Sequence, residues 1–205
     1  VVVGPMIEEA AVEKVERLLA VRCLQHAVAQ LGQDVGGVCP HVRIVLDDLI
    51  ALMALVAHDV DALAGRGHEV HFITYQQPFR LPAFVPHVAF HEVSIGQNPL
   101  FQYPPYDLAL AVRMHEVALQ HDLDLLHVHY AIPHATSAWM AKQMLVESGR
   151  RLPVVTTLHG TDITIVGQDH SFHAITKFSI ERSDRITAVS RFLKDETVRA
   201  FGCAG

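Results

Sequence analysis

Apolar positions along the chain follow two spacings, and from residue 68 onward the two alternate. His68 to Thr74 (His-Glu-Val-His-Phe-Ile-Thr) alternates apolar and polar residues like a strand. Val88 to Ile95 reads as a second strand, Asp124 to His129 as a third, Pro153 to His159 as a fourth and Arg185 to Val189 as a fifth. Apolar runs this short, bounded by Asp or Pro, read as buried parallel strands rather than helices. Helical spacing fills the intervals. Tyr106 to His121 has Leu108, Val112 and Leu119 among its apolar positions. Another helix runs from Pro133, which suits a first turn, to about Ser148, with Gly149 closing it. A third spans Phe172 to Arg182, and a last one, capped by Ser190, ends near Gly202. Strand and helix in alternation predict an α/β fold: a doubly wound, mostly parallel sheet with right-handed crossovers.

The first sixty residues fit this rhythm less well. Glu8 to Leu31 has the composition and spacing of a helix, Val42 to Leu46 reads as a short strand, and a further helix extends to Ala64. The chain therefore divides into an atypical, mostly helical segment at 1–60 and a regular α/β domain at 61–205. Gly36-Gly37 is followed by Val38-Cys39-Pro40, which does not open a helix as a phosphate-binding loop must. Internal repeats and low-complexity tracts are absent from the sequence.

Composition narrows the class. Half of the 205 residues are hydrophobic and 19% are charged, as in a globular domain with a real core. A formal net charge of -6 and the lack of a basic face argue against a nucleic-acid binder. Cys23, Cys39 and Cys203 lie far apart and form no C-x-x-C pair, which fits a reduced, cytoplasmic setting. Leu49 to Ala57 is the longest apolar stretch of note, too short to span a membrane, and the start has no signal-peptide pattern.

Two consecutive strands end in chemistry. Leu-Asp-Leu-Leu-His-Val-His-Tyr-Ala-Ile-Pro-His (123–134) and Leu-Pro-Val-Val-Thr-Thr-Leu-His-Gly-Thr-Asp (152–162) both break from apolar residues into His, Tyr, Gly, Thr and Asp. In open α/β sheets ligands bind at the carboxyl ends of the strands. His127 and His129, two apart on a strand, share a face. Such a pair suits a metal, with His159 as a third ligand. The plainer reading buries His127 in the strand layer and places His129 at the cleft. A functional reading without metal makes His129, Tyr130 and His159 hydrogen-bond donors to an anionic or hydroxylated substrate. Gly160 then allows close backbone approach, and its N–H with that of Thr161 faces an oxyanion. Arg80, in a Pro-flanked loop, suits a carboxylate or simply solvent. Tyr103 and Tyr106 read as packing on the sheet, Trp139 and Met140 as core, and Lys177 as a solvated charge.

These segments resemble known sequences. His-Val-His-Tyr-Ala-Ile-Pro-His-Ala (127–135), Ala-Lys-Gln-Met (141–144), Thr-Thr-Leu-His-Gly-Thr-Asp-Ile-Thr (156–164) and Ser-Asp-Arg-Ile-Thr-Ala-Val-Ser (183–190) are similar to a subfamily of the retaining family 4 glycosyltransferases. Gly67 to Thr74, Pro78-Phe79-Arg80-Leu81 and Phe101 to Leu110 match it as well, and the similarity runs from about Val56 to Cys203. The resemblance implies a bacterial enzyme with two Rossmann-like domains in the GT-B arrangement. That subfamily transfers N-acetylglucosamine from UDP-N-acetylglucosamine (UDP-GlcNAc) to the hydroxyl of L-malate, the first step of bacillithiol synthesis. It implies no metal and no cofactor. The acceptor belongs to the N-terminal half and most of the nucleotide sugar to the C-terminal half. Carried over by motif, His159 and Asp162 take the catalytic positions, and Tyr130, His129, Gly160, Thr161 and Arg80 the substrate-binding ones.

Two departures from that family stand out. Its glycine-rich loop, counted back from Gly67, falls near Ile50 to Met53, which here read Ile-Ala-Leu-Met. The chain also stops at Gly205, where a linker and the nucleotide-sugar domain are expected. Both read as an N-terminal-domain fragment, inactive alone, whose first segment is replaced or mistranslated; a reading-frame error upstream of about residue 60 would produce that. A metal-dependent hydrolase using His127, His129 and His159, and a non-catalytic binding module, stay open beside the transferase. Oligomeric state is not encoded in any of these patterns.

Overall fold

The computed structural model of the chain describes residues 43–47, 63–76, 85–96 and 99–203. The helices expected in the first segment, the missing glycine-rich loop, Arg80, Cys23 and Cys39 lie outside them.

Among the described residues, six strands form one sheet, and every neighbouring pair is parallel. They are β1 (Arg43–Asp47), β2 (Glu69–Thr74), β3 (Val88–Glu92), β4 (Leu125–His129), β5 (Val154–Leu158) and β6 (Arg185–Ala188). The order across the sheet is β3-β2-β1-β4-β5-β6. From β1 the chain winds outward in one direction through β2 and β3, then returns to add β4, β5 and β6 on the other side. The crevice where the direction reverses lies at the carboxyl ends of β1 and β4, where doubly wound folds bind their ligands.

Each predicted strand is present: the first is shifted by one residue, to Arg43–Asp47, and the others are trimmed by one to three. Among the described residues the helices are α1 (Tyr106–Gln120), α2 (Thr136–Glu147), α3 (Thr161–Thr164), α4 (His170–Arg182) and α5 (Arg191–Phe201). Their ends follow the polar signals. Asp169 accepts from Ser171 N–H at 2.8 Å to open α4, and Ser190 Oγ accepts from Leu193 N–H at 3.1 Å to open α5. After α2, Gly149 adopts φ 76°, its N–H reaches Val146 O at 2.9 Å, and Arg150 N–H reaches Leu145 O at 2.9 Å. That pair of bonds satisfies carbonyls the helix end would leave bare.

The main core lies between the sheet and α1 and α2. Ile73, Leu126, Val128 and Val154 meet Leu110, Met114 and Val117 of α1 and Ala138, Ala141 and Leu145 of α2, all buried. A second cluster joins Leu158, Ile163, Ile180, Leu193 and Phe201 around α3, α4 and α5. Strand alternation puts His127, His129, Val155 and Thr157 on the sheet face opposite the main core.

The structure departs from the sequence reading at Pro133, Tyr103 and Trp139, and it settles which face of α1 is buried. Pro133 does not open a helix. Ile132 is extended (φ -135°, ψ 142°), as the residue before a proline is pushed to be, and the irregular turn Ala131–Ala135 delays α2 until Thr136. On α1, Leu108, Val112 and Leu119 are exposed, and the buried stripe is Leu110, Ala111, Met114, Val117 and Ala118. Both rows carry apolar residues at helical spacing, so periodicity alone does not choose between them. Leu108 and Val112 of the outer row instead line a groove of about 700 Å³ with Phe101, Pro105 and Ser94. Tyr103 is 77% exposed and does not pack on the sheet, whereas Tyr106 meets Tyr75 edge-on with ring centroids 5.8 Å apart. Trp139 is half-buried and packs edge-on against Phe178 at 4.9 Å, joining α2 to α4.

Candidate active site

The carboxyl ends of β4 and β5 lie side by side, with His129 paired to Thr157 in register. Beyond them the two loops form a cluster in two layers. Tyr130, His159, Gly160 and Thr161 are half-buried or exposed, while His127, His129, His134 and Asp162 lie beneath them with at most 5% of their surface accessible.

Tyr130 is the pivot. Its backbone takes φ 76° and ψ 141°, a left-handed conformation that a residue with a Cβ adopts only under constraint. Such strain costs of order 1–3 kcal/mol and persists where the surroundings enforce it. Here they do so on both sides. Tyr130 N–H donates to Thr157 O at 2.9 Å, and Ala131 N–H donates to Asp162 Oδ2 at 3.0 Å. The Tyr130 ring consequently sits 4.9 Å from the His159 ring, centroid to centroid.

Asp162 ties the two loops together. Its Oδ1 accepts from Gly160 N–H at 2.9 Å and, at a long 3.4 Å, from His159 N–H, while Oδ2 holds Ala131 of the other loop. Burial pushes its carboxyl upward, and the surrounding backbone amides pull in the opposite direction. The Gly160 amide is therefore engaged with Asp162 and does not face a ligand, contrary to the sequence reading. Gly160 itself is required by its backbone, at φ 129°. Thr161 is exposed at the start of α3.

The histidines form a connected, uncharged base. His129 Nδ1 and His159 Nε2 are 2.8 Å apart, so one carries a proton and the other accepts it. His134 Nδ1 lies 2.6 Å from His129 O; a carbonyl only accepts, so His134 carries its proton on Nδ1. His127 Nε2 bonds Thr157 Oγ1 at 2.8 Å, and that hydroxyl bonds Thr187 Oγ1 at 2.7 Å. Burial lowers His127 to about 3 and His134 and His159 to about 4, and it holds His129 well below its usual value. Neighbouring imidazoles lower His127, His129 and His159 further. At neutral pH the cluster offers hydrogen-bond donors and acceptors on a rigid base, without net charge. His129 is 2% exposed and supports His159 from behind rather than lining the cleft as expected.

Of the sequence-predicted site residues, the structure brings together His129, Tyr130, His159, Gly160, Thr161 and Asp162; Arg80 lies outside the described residues. Lys177 is not simply solvated. It bonds Phe201 O and pairs with Glu181 at 2.6 Å, bracing α4 against α5. Among the described residues, the three histidines that each offer one ring nitrogen within 4.8 Å of the other two are His71, His91 and His121, not the H-x-H pair with His159. No sequence signal grouped them, because they sit on three separate elements.

The profile of Glycosyltransferase Family 4 matches residues 55–205. The chain belongs to that family. It is 58% identical over 135 residues to N-acetyl-alpha-D-glucosaminyl L-malate synthase of Bacillus anthracis, covering 66% of this chain and 35% of the relative. It is 31% identical over 74 residues to a glycosyltransferase, MJ1178, of Methanocaldococcus jannaschii, covering 36% of this chain and 20% of the relative. The chain thus spans about a third of the first relative's length and a fifth of the second's. Membership favours a sugar transferase over the hydrolase and the non-catalytic module. The Rossmann-like sheet described above fits one half of such an enzyme.

Proposed function

We propose that this chain supplies the acceptor side of a transferase that moves N-acetylglucosamine from UDP-GlcNAc to the hydroxyl of L-malate with retention, in the cytoplasm. The observation that carries the reading is the junction of Tyr130 and His159. Two polar side chains meet over a braced base at the edge where such sheets bind ligands, and the 58% identical relative is named N-acetyl-alpha-D-glucosaminyl L-malate synthase. Malate is a small dianion with one hydroxyl, and it needs donors held in fixed directions. Tyr130, His159 and Thr161 provide them. His129 and His134 hold the rings above them, and Asp162 fixes the distance between the two loops.

The chemistry asked of this half is positioning. A malate hydroxyl held at a defined place and angle against the anomeric carbon turns a bimolecular encounter into a step within one complex. Asp162, with its oxygens on backbone amides, acts through the shape of the loops. His159, half-exposed and backed by His129, is the group that meets the substrate. The donor diphosphate is held mostly by residues outside this chain. No helix among the described residues is long and apolar enough to cross a membrane.

A malate titration followed by NMR chemical shifts tests the reading. Binding is expected to be weak, on the order of millimolar, because charge interactions in an open cleft are small at high dielectric. Shifts should concentrate in 127–134 and 159–162. His159→Ala and Thr161→Ala should each weaken binding, and Lys194→Ala, on an exposed turn of α5, should leave it unchanged. Shifts confined to other segments, or binding untouched by both site substitutions, would place the acceptor elsewhere.

A further inference from the structure

A second histidine cluster lies away from the transfer site. His71 is on β2, His91 on β3 and His121 immediately after α1. Register pairs Ile73 with His91, and alternation puts His71 on the same face as Ile73, the face that α1 covers. The helix end then brings His121 over both. Ring centroids are 5.2 Å apart for His71 and His91, 4.4 Å for His71 and His121, and 5.1 Å for His91 and His121. His71 Nδ1 and His91 Nε2 are 2.9 Å apart, and one nitrogen of each ring lies within 4.8 Å of the other two.

We propose that His71, His91 and His121 form a binding site for a divalent transition-metal ion of the zinc class, with a structural role. A tetrahedral ion with metal–nitrogen bonds of 2.0–2.1 Å places its ligand nitrogens about 3.3–3.4 Å apart. The closest pair here has to open by about half an ångström and the third ring to swing in by at most about 1.5 Å. Rotation of partly exposed rings supplies both. His71 is 5% exposed, while His91 and His121 are half-buried, so the site has a fixed inner ligand and a side open to solvent for entry and for a water in the fourth position. Imidazole nitrogens select zinc, copper, nickel or cobalt over magnesium or calcium. Packing alone does not call for three imidazoles at this rim, since apolar rings would fill the same space without polar atoms. Arg113 faces His91 and opposes a metal; its pairing with Glu116 at 3.2 Å offsets that charge.

The site is remote from sugar transfer. Tyr106, at the start of α1, meets Tyr75 just past the end of β2 and lies 6.4 Å from the His134 ring, so that end of the helix adjoins the active cluster. Fifteen helical residues then carry the chain about 22 Å toward the opposite edge of the sheet before His121. A metal there joins β3, which has a single neighbouring strand among the described residues, to β2 and to the end of α1.

The test uses the untagged chain stripped with EDTA. Cobalt(II) titration followed by visible absorption, and zinc competition against a chromophoric chelator, measure stoichiometry and affinity. Thermal melts with and without one equivalent of zinc measure the structural effect. One ion per chain is expected, with tetrahedral cobalt bands and a higher melting temperature when zinc is present. His91→Gln and His121→Gln, at half-exposed positions that spare the core, should each weaken zinc binding on the order of 100-fold or more and abolish the thermal gain. His170→Gln, on an exposed helix start, should do neither. Wild-type binding no tighter than that of His121→Gln would overturn the proposal. So would binding lost in His159→Gln and kept in both cluster variants, which would assign the metal to the other histidines.

Discussion

Charge is costly where His127, His129, His134 and His159 sit, and this sets how the protein responds to acid. In the unfolded chain a histidine titrates near 6.5; folded, His127 titrates at about 3 and His134 and His159 at about 4. Between those values the unfolded chain binds more protons than the folded one. Stability is therefore complete above about pH 6.5 and is lost as pH falls toward 4, by up to about 1.4 kcal/mol per pH unit for each histidine. The raised carboxyl of Asp162 acts in the opposite sense from its unfolded value of 3.8 upward and offsets part of that loss. Urea unfolding at about pH 7.5 and about pH 5.5 should show a marked drop in midpoint. His127→Gln should flatten that drop, because glutamine does not titrate. Equal midpoints at the two pH values would mean that these rings are solvated in solution. The sequence announced the residues and not their state: His-Val-His reads the same whether the rings face water or the interior. The plainer reading, with His127 buried in the strand layer, holds, and the structure adds its partner: the Thr157 hydroxyl, itself bonded to Thr187 on the next strand.

At the scale of elements, the connection between β5 and α4 shows most plainly what pattern reading cannot reach. His159 to Asp162 is legible because a short apolar strand stops there. The short helix α3 and the 3-10 turn Val166–Gln168 that follow have no periodicity to announce them. They are held by Gly167. A Cβ at that position would lie 2.4 Å from Asp162 O, 2.8 Å from Phe201 Cζ and 3.1 Å from Thr176 Cγ2. Backbone cannot yield as a side-chain tip can, so Gly167→Ala should destabilise the chain by about 1–3 kcal/mol. It should also disturb the loop that carries His159. Chemical denaturation measures the first effect; amide shifts of 159–163 report the second. A variant as stable as the parent, with those shifts unmoved, would show that the turn has room to spare. The family motifs at 141–144 and 183–190 likewise acquire a physical meaning. Lys142 Nζ bonds both oxygens of Asp184 at 2.7 and 2.6 Å, and Asp184 Oδ2 accepts from Val154 N–H at 2.7 Å. This bracket between α2, β5 and the start of β6 was quotable from sequence as a resemblance, but its partners, 42 residues apart, were not.

For the molecule as a whole, the division of labour between acceptor and donor leads to the last prediction. The α/β reading of the fold succeeded because every crossover after β3 carries its own amphipathic helix and its own stop signals. The first strand was legible at Val42 to Leu46 and lies at Arg43–Asp47, while the loop that follows it falls outside the described residues. The stretch expected to face the donor phosphates reads Ile-Ala-Leu-Met, without the glycines that bring backbone amides close to phosphate. The 135 matched residues also cover only 35% of the relative named N-acetyl-alpha-D-glucosaminyl L-malate synthase. Each charge-assisted bond to a diphosphate contributes roughly 1.5–3 kcal/mol, so losing two or three removes several orders of magnitude in donor affinity. On the proposed function, this chain alone, given UDP-GlcNAc and L-malate, should form no N-acetylglucosaminyl malate above background by mass spectrometry. It should nonetheless show the weak malate shifts described above. Product formed in proportion to the amount of pure chain would mean that these residues bind and activate the donor themselves. The division between an acceptor half and a donor half would then be wrong, even if malate occupies the Tyr130–His159 edge.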